Sequence, residues 1–222
     1  SIVANRLEFN ARGAGVLGFS KFGSAIHYAI DDKGKVVEDV LASFFAEVQS
    51  FGGGLIFGFT SNIWEALEND FLVSDSVDTS NVALIHGGGW KKLASLNISN
   101  DKFNQQVHSR LKVRDVHNYY GMVEQTGSIF FECEFGNMHA SMFSEALARD
   151  ENTLEPLKNG NQGVIQVFST LPESYPGHSI LTEDVGVVES DRLCKCGRNG
   201  STIKIIGRLA EAEIRGCSDV YG

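Results

Sequence analysis

The sequence predicts an α/β protein, with a mixed sheet and flanking helices followed by a β-rich C-terminal part. Three observations predict it. Through the first two thirds of the chain, short apolar runs alternate with stretches of helical period, as strands joined by helices do. From Ser128 onward the helical period vanishes and short strand-like runs follow one another. The 24 glycines gather in short clusters with no repeat, as turn and ligand-approach positions would.

Each element can be justified in order. Val37 to Phe51 reads as a helix, because Val40, Phe44, Phe45 and Val48 fall on one stripe. Leu55 to Phe59 is a buried strand, after which Asn62 with Glu65 forms a capping box opening the next helix. Val82 to Ile85 is a second strand, running into Gly87-Gly88-Gly89. Asp101 to Leu111 has helical period, and Val113 to Tyr119 is a strand ending at Tyr120-Gly121. The later strands are Ile129 to Glu132, Val164 to Ser169, Val185 to Val188 and Thr202 to Ile206.

Composition bounds the function. A hydrophobic share of 42% against 21% charged residues is enough to bury a core, and 3 prolines leave no long linker. A net charge of -9 with a pI near 5.1 opposes binding to nucleic acid or anionic lipid, since phosphate contacts need clustered Lys and Arg. No apolar run reaches the roughly 18 residues that span a bilayer, and Ser1 to Arg12 lacks a signal-peptide core. The expectation is a cytoplasmic protein with no membrane span and no nucleic-acid partner. Four cysteines are too few for a disulfide scaffold and read instead as reduced thiols, metal ligands or a nucleophile.

Several short strings carry chemistry, each with a plainer alternative. Gly13-Ala14-Gly15-Val16-Leu17-Gly18 fits the spacing of a dinucleotide loop, yet it lacks a preceding strand and a following acid, so loop glycines are the better reading. His86-Gly87-Gly88-Gly89-Trp90-Lys91-Lys92 places bare backbone at the end of a strand, where a flat ring could lie; the alternative is a tight turn with solvated lysines. Tyr120 to Gly127 also follows a strand and offers an aromatic face and one acid, Glu124, suited to holding Mg²⁺ beside a phosphate. Thr182-Glu183-Asp184-Val185-Gly186 is either an acidic turn between two strands or a carboxylate acceptor for ribose hydroxyls. Gly207-Arg208 closes the last strand and could contact phosphate or ribose. Cys133, His139, Cys194 and Cys196 make a complete tetrahedral zinc set if they meet; otherwise they are unrelated thiols and a core histidine. Cys217, beside Arg215 and Gly216, is either a nucleophile favoured by the arginine or an incidental near-terminal thiol.

Taken together, His86 to Leu93, Tyr120 to Cys133, Ser174 to Asp184 and Arg208 to Asp219 resemble the acyl-protein synthetase family of bacterial luminescence. They are more distantly similar to the phenylacetate-coenzyme A ligase branch of the adenylate-forming ligases. The resemblance implies part of that superfamily's large domain: residues 1–127 as an α/β nucleotide-binding subdomain, 128–207 as a β-rich subdomain with a possible zinc site, and 208–222 as a hinge-like tail. It also implies site roles. Gly87, Gly88 and Gly89 would line the adenine, Tyr120 of Tyr120-Gly121 would stack on it, and Glu124 would sit by Mg²⁺ and the phosphates. Asp184 would bind the ribose and Arg208 would reach the nucleotide at the hinge. Cys133, His139, Cys194 and Cys196 would hold structural zinc, and Cys217 would accept the acyl group.

The implied reaction joins a fatty acid or other carboxylate to ATP as an acyl-adenylate, then passes the acyl group to an enzyme cysteine and on to an acyl reductase partner. Two departures stand out. No Ser/Thr/Gly-rich phosphate loop lies between Ser1 and His86, and Ala210 stands where the wider superfamily has Asp or Lys. The expectation is therefore a synthetase incomplete as given. The competing expectations are a coenzyme A ligase of the phenylacetate type and a non-catalytic nucleotide- or acyl-binding domain.

Overall fold

The computed structural model describes residues 11–31, 33–68, 72–90, 96–125, 127–190, 193–210 and 212. The chain divides into two compact units, the first ending at Val116 and the second beginning at His117.

In the first unit, α1 (Ala11–Phe19) precedes α2 (Glu38–Phe51), β1 (Gly54–Phe59), α3 (Thr60–Leu67), β2 (Val82–Gly87) and α4 (Asn100–Leu111). On α2, Phe45 and Val48 of the expected stripe are buried together with Leu41, which the sequence reading left out, while Val40 and Phe44 are half-buried. The helix stops at Gly52, whose φ of 87° suits glycine and whose N–H returns to Val48 O. Strand β1 opens on glycine for a packing reason: a Cβ at Gly54 would lie 2.6 Å from Val48 Cγ2 and 2.7 Å from Phe44 Cζ. Strands β1 and β2 pair in parallel, with Gly54 opposite Val82 and Phe59 opposite Gly87, and α3 makes the crossover between them. Helix α4 is capped by Ser99, which accepts from Lys102 N, and buries Phe103, Val107 and Leu111 at successive four-residue steps. Truncating Phe103 to alanine would cost about 3–5 kcal/mol, the usual figure for a fully buried aromatic.

Two expectations are corrected here. Gly13 to Gly18 is not a loop but part of α1, which lies against β1: Phe19 stacks on Phe57 at 4.0 Å between ring centroids, and a Cβ at Gly15 would lie 3.6 Å from Phe59 Cζ. Glycine's low helix propensity, about 1 kcal/mol per residue, is overridden by that tertiary contact. Nor does Asn62 cap α3. The helix starts at Thr60, directly from β1, with no side-chain cap bond.

The second unit begins within β3 (Asp115–Tyr120) and continues through β4 (Phe130–Glu132), β5 (Met138–His139), β6 (Ser144–Arg149), β7 (Gln162–Ser169), β8 (Ser179–Glu189) and β9 (Thr202–Arg208). The order in the sheet is β3-β4-β5-β9-β8-β7-β6, every neighbouring pair antiparallel. Phe130, Ile165, Val167, Val188 and Ile203 form its core. Strand β6 escapes the sequence reading because its buried residues include two small ones, Ala146 and Ala148, which give little periodic signal. No helix among the described residues is long and apolar enough to cross a membrane.

Candidate functional site

The second unit builds a polar cluster on an irregularity in its sheet. Opposite β7 the register of β8 jumps, so that Thr182, Glu183 and Asp184 together face the single residue Ile165. The Thr182 hydroxyl replaces the lost ladder bonds, donating to Ile165 O at 2.7 Å and accepting from the Asp184 N–H at 3.1 Å. On the other side, the β8–β9 pairing skips Ile206 between Val185–Gly207 and Gly186–Ile205. Gly186 is required there, since a Cβ would lie 2.5 Å from Lys204 O. The Thr-Glu-Asp string is thus a bulge inside one continuous strand, not a turn between two, and bulges of this kind re-aim side chains.

What they aim is a paired set of groups. The Tyr120 hydroxyl, at the end of β3, donates to Asp184 Oδ2 at 2.7 Å. Arg208 lies opposite Asp184 in register, its Nε 3.5 Å from Asp184 Oδ1, while its Nη2 bonds Glu183. Burial, then the charge of Asp184 and the hydrogen bond to it, push the Tyr120 phenol well above its ordinary value, so it remains a neutral donor. Beyond Gly121, a short 3₁₀ turn over Val123–Gln125 leaves Glu124 exposed and Gln125 buried. Gln125 Nε2 donates to Gly177 O at 2.9 Å and Val167 O at 3.4 Å, tying this turn to β7 and to the segment before β8.

The cysteines and histidine named in the sequence do meet. Cys133 and Cys194 begin two turns of one design: the Gly136 N–H returns to Cys133 O and the Gly197 N–H to Cys194 O, each at 2.9 Å. The φ values of 74° at Gly136 and 82° at Gly197 are ones that favour glycine. His139, on β5, completes the group, and all four donor atoms lie within 4.8 Å of one another. Cys133 Sγ is 3.8 Å from Cys194 Sγ, and Cys196 Sγ is 3.4 Å from His139 Nε2. A zinc tetrahedron with Zn–S of about 2.3 Å and Zn–N of about 2.05 Å has S···S edges of about 3.8 Å and S···N edges of about 3.5 Å. The donor chemistry and the spacing therefore both fit that ion. The Cys194 thiol is lowered to about 6, first by the Cys196 N–H, whereas burial raises that of Cys196. Asn137 Nδ2 also donates to Cys194 Sγ at 3.3 Å.

In the first unit, β2 delivers the glycine string. Thr60 Oγ1 donates to Gly87 O at 3.1 Å and lies 2.9 Å from His86 Nδ1. With the hydroxyl proton used on Gly87, the imidazole is the donor in the second bond. His86 is buried against Phe103, with ring centroids 4.2 Å apart, and Trp90 anchors the far side against Trp64 and Phe103. Gly88 has φ 79°, and Gly89 has open space where a side chain would be. The sequence reading missed Thr60, Gln125 and Thr182. A threonine inside a polar string flanked by strand residues was the available signal for Thr182. Lys91, Lys92, Arg215, Gly216 and Cys217 lie outside the described residues.

The family model described as acyl-protein synthetase, LuxE, matches residues 5–222. The chain is 30% identical over 141 residues to the long-chain-fatty-acid–luciferin-component ligase of Vibrio harveyi, covering 61% of this chain and 35% of that protein. The corresponding ligase of Aliivibrio fischeri is 30% identical over 140 residues, covering 62% and 36%. The chain thus spans about a third of the length of these curated relatives. Among solved structures, a luciferase-like enzyme from the mealworm Zophobas morio superposes with a TM-score of 0.55 at 14% identity, over 92% of this chain and 47% of that one. ATP-bound MatB from Rhodopseudomonas palustris gives 0.51 at 17%, over 77% and 33%. The structural likenesses carry the fold, a mixed α/β arrangement, and the match over residues 5–222 carries the family: the chain belongs to the LuxE acyl-protein synthetases.

Proposed function

We propose that this chain is the adenosine-binding part of an ATP-dependent acyl-protein synthetase. The observation that supports it best is the cluster of Tyr120, Asp184 and Arg208, a ring, a carboxylate and a guanidinium held together by a strand bulge in a member of this family. In this reading Tyr120 stacks on the adenine, Asp184 accepts from the ribose hydroxyls and Arg208 reaches the nucleotide. By the family resemblance Gly87, Gly88 and Gly89 would supply an adenine-side loop, and Gly121 gives the Tyr120 segment room beside Ser128 O, from which a Cβ would lie 3.3 Å. Glu124, exposed on its turn, would hold a Mg²⁺ that neutralises phosphate charge.

The proposed reaction has two steps. A long-chain fatty acid carboxylate attacks the α-phosphate of ATP, giving acyl-adenylate and pyrophosphate. A thiolate at Cys217 then attacks the acyl carbon, forming a thioester and releasing AMP, and the acyl group leaves for a reductase partner. Cys133, His139, Cys194 and Cys196 hold a structural zinc ion that ties β5 and the turn after β4 to the segment preceding β9.

The test is labelling of the natural protein that carries this chain, with ATP and radioactive fatty acid. Hydroxylamine-labile label should appear on the protein and vanish in Cys217→Ala, while pyrophosphate release persists. Label that survives the substitution would remove Cys217 from its role; turnover that requires coenzyme A would favour the coenzyme A ligase instead.

A further inference from the structure

We infer that the Tyr120 phenol is a positioning group that makes Asp184 selective for the vicinal diol of a ribonucleotide; this rests on the nucleotide reading above. An ionised carboxylate has about four acceptor positions. Tyr120 takes one on Oδ2 at 2.7 Å, and Arg208 Nε flanks Oδ1 at 3.5 Å. The remaining positions suit two hydroxyl donors on adjacent carbons.

Direction matters as much as number. The terminal torsion of an aspartate is broad, so an unsupported carboxylate samples many orientations. Here the backbone is held by the Asp184 N–H bond to Thr182 Oγ1 at 3.1 Å, and the carboxylate by a donor on one oxygen and a cation beside the other. The phenol keeps its proton, so it is always the donor and Asp184 always the acceptor. Removing the hydroxyl leaves the aromatic face in place and lets the carboxylate rotate. The loss should therefore fall on diol recognition and spare the base.

The experiment titrates this chain and Tyr120→Phe calorimetrically with AMP, 2′-deoxy-AMP, 3′-deoxy-AMP and adenine. The wild-type chain should prefer AMP to either deoxynucleotide by about tenfold, the size of one charge-assisted hydrogen bond. In Tyr120→Phe the preference should fall to about two- to threefold, with adenine affinity unchanged. An unchanged preference, or an equal loss for all four ligands, overturns the inference and leaves the nucleotide reading standing. A wild-type chain that binds neither AMP nor adenine overturns both.

Discussion

The second unit carries two clusters that the same sheet holds in opposite ways. In the cysteine–histidine cluster, four donor atoms within 4.8 Å are presented by two glycine-closed turns and by the two-residue strand β5. All four are electron-pair donors, and the three cysteines would repel one another as thiolates without a cation. In the Tyr120–Asp184–Arg208 cluster, a donor and a guanidinium already answer the carboxylate, and two paired strands fix the geometry. The first cluster gathers four donors that a cation could bind in common. The second holds its own shape and leaves acceptor capacity for a ligand.

The contrast is broken most strongly at the cysteine–histidine set. Cys194→Ser should abolish zinc binding and lower the melting temperature by roughly 10 °C or more, since closed sites contribute several kcal/mol and each kcal/mol moves a chain of this size by about 2–4 °C. Elemental analysis with thermal denaturation checks it. A protein purified without metal and indifferent to chelator would contradict the assignment.

Between the two clusters in expected size is Gln125, buried with its amide shared between two carbonyls. Gln125→Leu should cost about 1–3 kcal/mol in urea unfolding, because it strands at least one buried carbonyl. A neutral result would mean that the turn holding Glu124 does not depend on it.

A smaller effect concerns alkaline stability. The Tyr120 phenol is raised in the folded protein, so its contribution is complete below the unfolded value, about pH 10, and fades as pH climbs toward the folded one. Tyr120→Phe should flatten the decline in stability above about pH 10. An alkaline limb identical to wild type would count against a buried, hydrogen-bonded phenol. Smallest of all is the exposed pair of Arg208 with Glu183: Glu183→Gln should change stability by no more than about 1 kcal/mol and less at high salt.

Legibility in the sequence followed the same contrast. The cysteine–histidine donors could be listed from residue types and approximate spacing, although only folding could bring Cys133 and Cys194, 61 residues apart, to 3.8 Å. Helices α2 and α4 and both parallel strands were legible because their apolar period is strong. The bulge at Thr182 was not, because Thr-Glu-Asp reads locally as a turn and becomes a strand only through pairing on both sides. Helix α1 was hidden for a related reason: three glycines oppose helix locally, and Phe19 stacking on Phe57 is a tertiary fact. The Gln125 bonds reach 42 and 52 residues ahead, beyond any local pattern.

The most direct test is calorimetric titration of the chain and its Asp184→Asn variant with AMP and with ATP. The wild-type chain should bind AMP weakly and ATP no more tightly, because the residues before His86 hold no Ser/Thr/Gly-rich loop to cradle the outer phosphates. Asp184→Asn should weaken AMP binding about tenfold, the loss of one charge-assisted bond, with zinc content unchanged. AMP affinity indifferent to Asp184→Asn, or micromolar ATP binding with pyrophosphate release by this chain alone, would contradict the account.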